Sequence, residues 1–142
     1  MSASTDDALT AAQLAALAAV RKSGGSPDDA LAPVAAAISN HARVTLNFHP
    51  YRRLADGHSV AEGLLADGVY RGQFETRISN GSASAYPGGD RDRWEQLLFE
   101  GAYRSAAPEE RPKYGALALM RHADGAAPRF GSCYLRLRPE VT

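Results

Sequence analysis

Between Ile38 and Val44 the hydrophobic period of the chain changes, and that change limits what it can fold into. Residues 1–39 are Ala-rich, and their apolar positions recur at helical spacing. From Arg43 the period is two. In VTLNFH, residues 44–49, Val44, Leu46 and Phe48 point one way, and Thr45, Asn47 and His49 the other. A helical front end followed by alternating segments predicts an α+β fold: an N-terminal helical hairpin, then a mixed or antiparallel sheet carrying short helices. The expected division is an Ala-rich helical segment over 1–42 and an α+β domain over 43–142.

The first helix is expected over 7–22, capped by Thr5 or Asp6, with Leu9, Ala12, Ala16, Leu17 and Val20 on one face. Arg21 and Lys22 fall in its last turn, and Gly24 lies just beyond. A second begins at Ser26-Pro27-Asp28-Asp29, where Ser26 is a natural cap and Pro27 suits the first helical position. Its stripe is Leu31, Val34, Ala35 and Ile38.

Beyond the strand ending near Pro50, Ser59-Val60-Ala61-Glu62 is a capping box that opens a short helix, closed by Gly68. GVYRGQFET, residues 68–76, looks strand-like, broken at Gly72. Ser79-Asn80-Gly81 signals a turn, and Asp90 is placed to cap a helix over 91–100 that buries Trp94, Leu97 and Leu98. YGALALMRH and RFGSCYLRL flank a loop and read as a β-hairpin, with Cys133, Leu135 and Leu137 on one face and Cys133 a buried core thiol.

At 142 residues the chain is large enough for one domain with a real core. Basic and acidic side chains number 16 each, so no bulk positive charge drives nucleic-acid binding. The single cysteine excludes an intramolecular disulfide and fits a cytoplasmic setting. No apolar run approaches the roughly 20 residues that span a bilayer, and the N-terminus carries acids where a signal peptide carries bases.

Chemistry-bearing residues crowd between 43 and 103. His49 closes the polar row of its strand beside Pro50, Arg52 and Arg53, and strand ends are where sites collect; a surface histidine is the plainer reading. Gln73 and Glu75 would share a strand face, an amide beside a carboxylate able to orient a hydroxyl or take a proton; a solvated face is the alternative. The Gly-rich loop 79–89, with Asn80 and Gly81, could hold a phosphate on backbone N–H groups, or be plain loop. Tyr70, Tyr114 and Trp94 could stack on a ring, with Trp94 expected in the core. Acids over 90–95 are explained by the helix N-terminus, and no histidine or cysteine spacing fits a zinc site, so no metal is expected.

The strings FHPYRR, GVYRGQFETRISNG, GGDRDRWE, PKYGAL and FGSC, in this order over about residues 43–140, resemble a bacterial family known as domain of unknown function 3626. Tyr51 stands where that family usually has Asp, and the chain ends where members typically continue, which suggests a truncated or minimal form. The outline of His49 at a strand end followed by VAEGLLADGVY is also similar, more distantly, to the front half of ADP-ribosyltransferases. That likeness implies an NAD- or nucleotide-binding cleft, with NAD as substrate. His49 and Arg52 would then hold polar groups, Tyr70 would stack, and Gln73 and Glu75 would orient the reacting oxygen. Those enzymes carry their catalytic Glu late, whereas Glu75 comes early here. The competing readings are a non-catalytic or toxin-like module gripping a protein or phosphate-bearing partner, and a metal-dependent hydrolase or nuclease using Asp56, Glu75, Asp90 or Asp92.

Overall fold

The computed structural model describes residues 8–25, 29–78 and 85–141. Thr5, Asp6, Ser26, Pro27, Asp28, Asn80 and Gly81 lie outside them, and with them the caps expected for the first two helices and the Asn-Gly turn.

Helix α1 spans Ala11–Gly24. Thr10 is its cap: its hydroxyl accepts from Gln13 N at 3.3 Å, and Gln13 Oε1 accepts from Thr10 N at 3.0 Å. Arg21 and Lys22 occupy the last turn, and Gly25 turns the chain out with φ 64°. The helix is fastened to the segment 100–110 through Gln13 Nε2, which donates to Glu110 O at 3.3 Å, and through a Lys22–Glu100 ion pair at 2.8 Å. Helix α2, Ala32–His41, follows a 3₁₀ turn at Asp29–Leu31. Both expected helices are present, but the face that buries is the small one, at Ala16 and Ala19. Leu17, Val20, Leu31 and Val34, expected to close a hairpin seam, are exposed.

Strand β1, Arg43–Phe48, is the centre of a three-stranded antiparallel sheet in the order β2-β1-β3, with β2 at Ala116–Ala118 and β3 at Cys133–Arg136. Arg43 pairs with Ala118 and Thr45 with Ala116 on one side; Leu46 pairs with Leu135 and Phe48 with Cys133 on the other. The expected β-hairpin is therefore corrected. Its two strands do not pair with each other, because β1 lies between them and satisfies both ladders. Cys133 is also corrected from buried to exposed: β3 is an edge strand and short, so it covers little.

The polar row of β1 is not solvated. Thr45 and Asn47 are buried, and they hold the loop 124–131 down. Asn47 Nδ2 donates to Asp124 O at 2.8 Å and Gly131 O at 3.1 Å, and Thr45 Oγ1 accepts from Ala126 N at 3.1 Å.

Helix α3, Val60–Asp67, has the expected capping box: Ser59 Oγ accepts from Glu62 N at 3.1 Å, and Glu62 Oε2 accepts from Ser59 N at 2.7 Å. Gly68 closes it with φ 68°. The segment read as a strand is instead one helical turn, α4, Gln73–Thr76. Glu75 Oε2 accepts from Gly72 N, three residues back, at 2.5 Å, which closes that turn before any partner strand is met. Helix α5, Asp90–Leu98, is capped by Gly89, and Asp90 is its first helical residue. The face expected to be buried is corrected: Trp94 is 45% exposed and Leu97 82%, whereas Glu95 is fully buried.

A candidate functional site: a cationic cleft at the end of the central strand

Past Phe48 the chain leaves the sheet in a turn in which Arg52 N donates to His49 O at 3.3 Å. Val60 N then donates to Arg52 O at 2.8 Å, and Ala61 N to Pro50 O at 3.0 Å. The start of α3 is thus tied to the strand exit, and together they fix His49 and Arg52. A cleft of about 250 Å³ opens here, walled by the end of β1, this turn, α3, residues 69–78, Arg91 of α5 and residues 113–116.

The structure brings together five of the residues singled out in the sequence: His49, Arg52, Tyr70, Gln73 and Tyr114 all line the cleft. Glu75 does not. Its carboxylate takes the Gly72 N–H and pairs with Lys113 Nζ at 3.6 Å, and both of those partners line the cleft. Asn80 and Gly81 fall outside the described residues. Gln73 and Glu75, expected on one strand face, are separated in this way by the helical turn.

His49 Nδ1 lies 3.2 Å from the Tyr51 hydroxyl, with the two rings 5.6 Å apart. When Tyr51 donates, the neutral imidazole carries its proton on Nε2. Tyr70 meets Phe48 edge-on at 6.2 Å, and burial raises its phenol above the ordinary range. Gln73 Oε1 is buried with no hydrogen-bond partner among the described residues.

Three cations that the sequence reading passed over share the cleft: Arg71, Arg91 and Lys113. With Arg52 they make four, and among the described residues no Asp or Glu lines it. Arg71 pairs with Asp67 at 2.6 Å. Arg91 lies over two aromatic rings, with Cζ 5.3 Å from the centroid of Trp94 and 5.0 Å from that of Tyr114. The sequence did hold a signal for the first contact, since Arg91 and Trp94 are three apart on one helix.

Behind this wall lies a buried charge cluster. Arg111 Nη1 pairs with Asp92 Oδ1 at 2.6 Å and Glu95 Oε2 at 3.1 Å, and its guanidinium covers the Phe74 ring at 4.1 Å. The Tyr114 hydroxyl donates to Glu95 Oε1 at 2.6 Å. Burial, then that hydrogen bond and the Glu95 charge, push the Tyr114 phenol far up. Burial works to raise Asp92, but hydrogen bonds from Gly88 N, Arg111 and Gln96 outweigh it and leave its carboxyl below the usual range. Arg111 thereby locks α5 to α4, and Tyr114 locks the strand segment entering β2 to α5.

Among the described residues no three His, Cys, Asp or Glu side chains are placed to share a metal ion. No helix there is long and apolar enough to cross a membrane. The family model described as Protein of unknown function (DUF3626) matches residues 43–142. The chain belongs to that family. The match begins at the first residue of β1 and takes in every wall of the cleft. Comparison with curated proteins gave no match, and neither did comparison with solved structures.

Proposed function

We propose that this member of the family binds a phosphate-bearing, ring-containing small molecule of the nucleotide class in the cleft, with NAD as the candidate substrate. The observation that carries the reading is the lining: Arg52, Arg71, Arg91 and Lys113, with no carboxylate among the described residues. In a confined, partly dehydrated space such a lining favours anions and rejects cations. Phe48, Tyr70 and Tyr114 supply ring faces and edges for a base or a nicotinamide. The buried Gln73 Oε1 lacks a donor among the described residues, which costs ~1–3 kcal/mol, and rotation of its amide toward a bound N–H or O–H relieves that cost.

In the transferase reading, His49 and Arg52 hold the ligand's polar groups. Glu75 reaches the reacting centre only by exchanging Lys113 for the ligand, since its carboxylate is committed to Gly72 and Lys113. Binding is therefore the first property to test. Titration calorimetry with NAD and ADP should show saturable binding by the wild type. Nicotinamide release from NAD, measured beside a folded His49→Ala variant, then separates an enzyme from a binding module. Release that disappears in the variant places the chemistry at His49. Binding without release by either leaves a ligand-binding module, and no binding of NAD or ADP overturns the proposal.

A further inference from the structure

The four cations of the cleft are not equivalent. Arg71 has Asp67 and Lys113 has Glu75 as charge partners, and Arg52 has a partner within the chain. Arg91 makes no ion pair among the described residues; its guanidinium rests over Trp94 and Tyr114 instead. The centroids of those rings are 5.7 Å apart and their planes tilt by 54°, so they form an open V with the cation over it. A cation–π contact places the charge over the rings and leaves the guanidinium's N–H donors able to meet an anion as a fork. The V is itself rigid. Trp94 sits on α5, and Tyr114 is held by its bond to the fully buried Glu95, which Arg111 fixes in turn.

On these grounds we infer that Arg91 is the phosphate-binding residue of the cleft, pre-positioned by the Trp94–Tyr114 pair. This rests on the nucleotide reading above and assigns its charge recognition to one side chain. A bound phosphate gains an uncompensated cation here, whereas at Arg71 or Lys113 it must compete with a carboxylate already in place.

Trp94 is the single tryptophan of the chain, so its fluorescence reports on Arg91 directly. The experiment titrates ADP and adenosine against the wild type, Arg91→Ala, Arg91→Gln and, as a surface control of equal charge change, Arg93→Ala. Affinity is read by calorimetry, and Trp94 emission is followed in parallel. The wild type should favour ADP over adenosine by about tenfold or more, as charged hydrogen bonds do, with a change in Trp94 emission only for ADP. Both Arg91 variants should lose that preference while binding adenosine as before, and Arg93→Ala should keep it. Two variants guard against one failing to fold. A preference for ADP that survives both Arg91 changes overturns this assignment and leaves the cleft reading standing. A wild type that binds adenosine and ADP equally overturns both, since the cationic lining then recognises no phosphate. Failure of the wild type to bind either compound, or NAD, removes the cleft reading itself and the assignment with it.

Discussion

The Tyr114 hydroxyl donates to Glu95 across 2.6 Å, and Glu95 has no exposed surface at all. A charge so placed is tolerated because both of its oxygens are engaged, one by Tyr114 and the other by Arg111. Removing one partner leaves the rest uncompensated. Glu95→Ala should therefore destabilise the fold by ~3–5 kcal/mol, and Tyr114→Phe, which strips one donor, by ~1–3 kcal/mol. Urea denaturation of the two variants measures both. Equal and small losses would show that the cluster is not the lock between α4, α5 and the entry to β2.

The same bond sets an alkaline limit. Below pH 10 the phenol of Tyr114 is protonated in both the folded and the unfolded chain. Above it, the unfolded phenol ionises at its ordinary value of 10.0, while the folded one is held protonated by burial and by Glu95. The unfolded state then binds fewer protons, so stability falls as pH rises above 10. Burial acts in the same direction on Tyr70 and Tyr103. Stability measured across that range should decline, and Tyr114→Phe should flatten the decline while lowering the plateau.

How much of this could be read beforehand follows from where local and distant forces agree. The alternation of Val44 to His49, the Ser59–Glu62 box and the closure at Gly68 are local signals, and the fold obeys them. His49 and Arg52 line the cleft because the strand exit, a local signal, carries them there; Gln73 lines it too, although the strand expected to present it is a helical turn. The α5 face was misread because hydropathy ranks Trp94 and Leu97 above Glu95, and nothing near residue 95 announces Arg111, sixteen residues on. Four residues, Gln73 to Thr76, fit a period of two as well as one helical turn, and the Gly72–Glu75 bond decided between them. The false hairpin has the same cause: the sequence shows which segments are extended, but not that β1 had already taken the place between them.

Gly131 is required by close approach. Its φ is 143°, and a Cβ there would overlap the carbonyl group of Phe48 and stand 2.6 Å from His49 N. The strand exit that carries His49 runs against this glycine. Gly57, with φ 88° and open space around the position of its missing Cβ, is a positive-φ glycine with no such contact. Gly57→Ala should cost ~1–2 kcal/mol in thermal or urea unfolding. Gly131→Ala should cost clearly more, since backbone cannot swing aside as a side chain can, and it should displace His49. Equal costs would mean that the contact with Phe48 is readily relieved.

Asn47 links the centre of the sheet to the cleft floor. It donates to Asp124 O and Gly131 O, and its Oδ1 accepts from Ala127 N at 3.3 Å. Both Asn47 and Ala127 line the cleft, so this one side chain sets the position of the loop at the cleft wall. Asn47→Leu keeps the approximate volume and strands two carbonyls and one N–H, at ~1–3 kcal/mol for each group that water cannot reach. Asn47→Asp keeps the acceptor for Ala127 and loses both donations. Amide exchange at Ala126 and Ala127 should accelerate in Asn47→Leu at both sites. In Asn47→Asp it should stay slower at Ala127 than in Asn47→Leu. Ligand affinity should fall in parallel with the loop's protection. A loop that stays protected in Asn47→Leu would assign its position to Thr45, whose hydroxyl accepts from Ala126 N at 3.1 Å, rather than to Asn47.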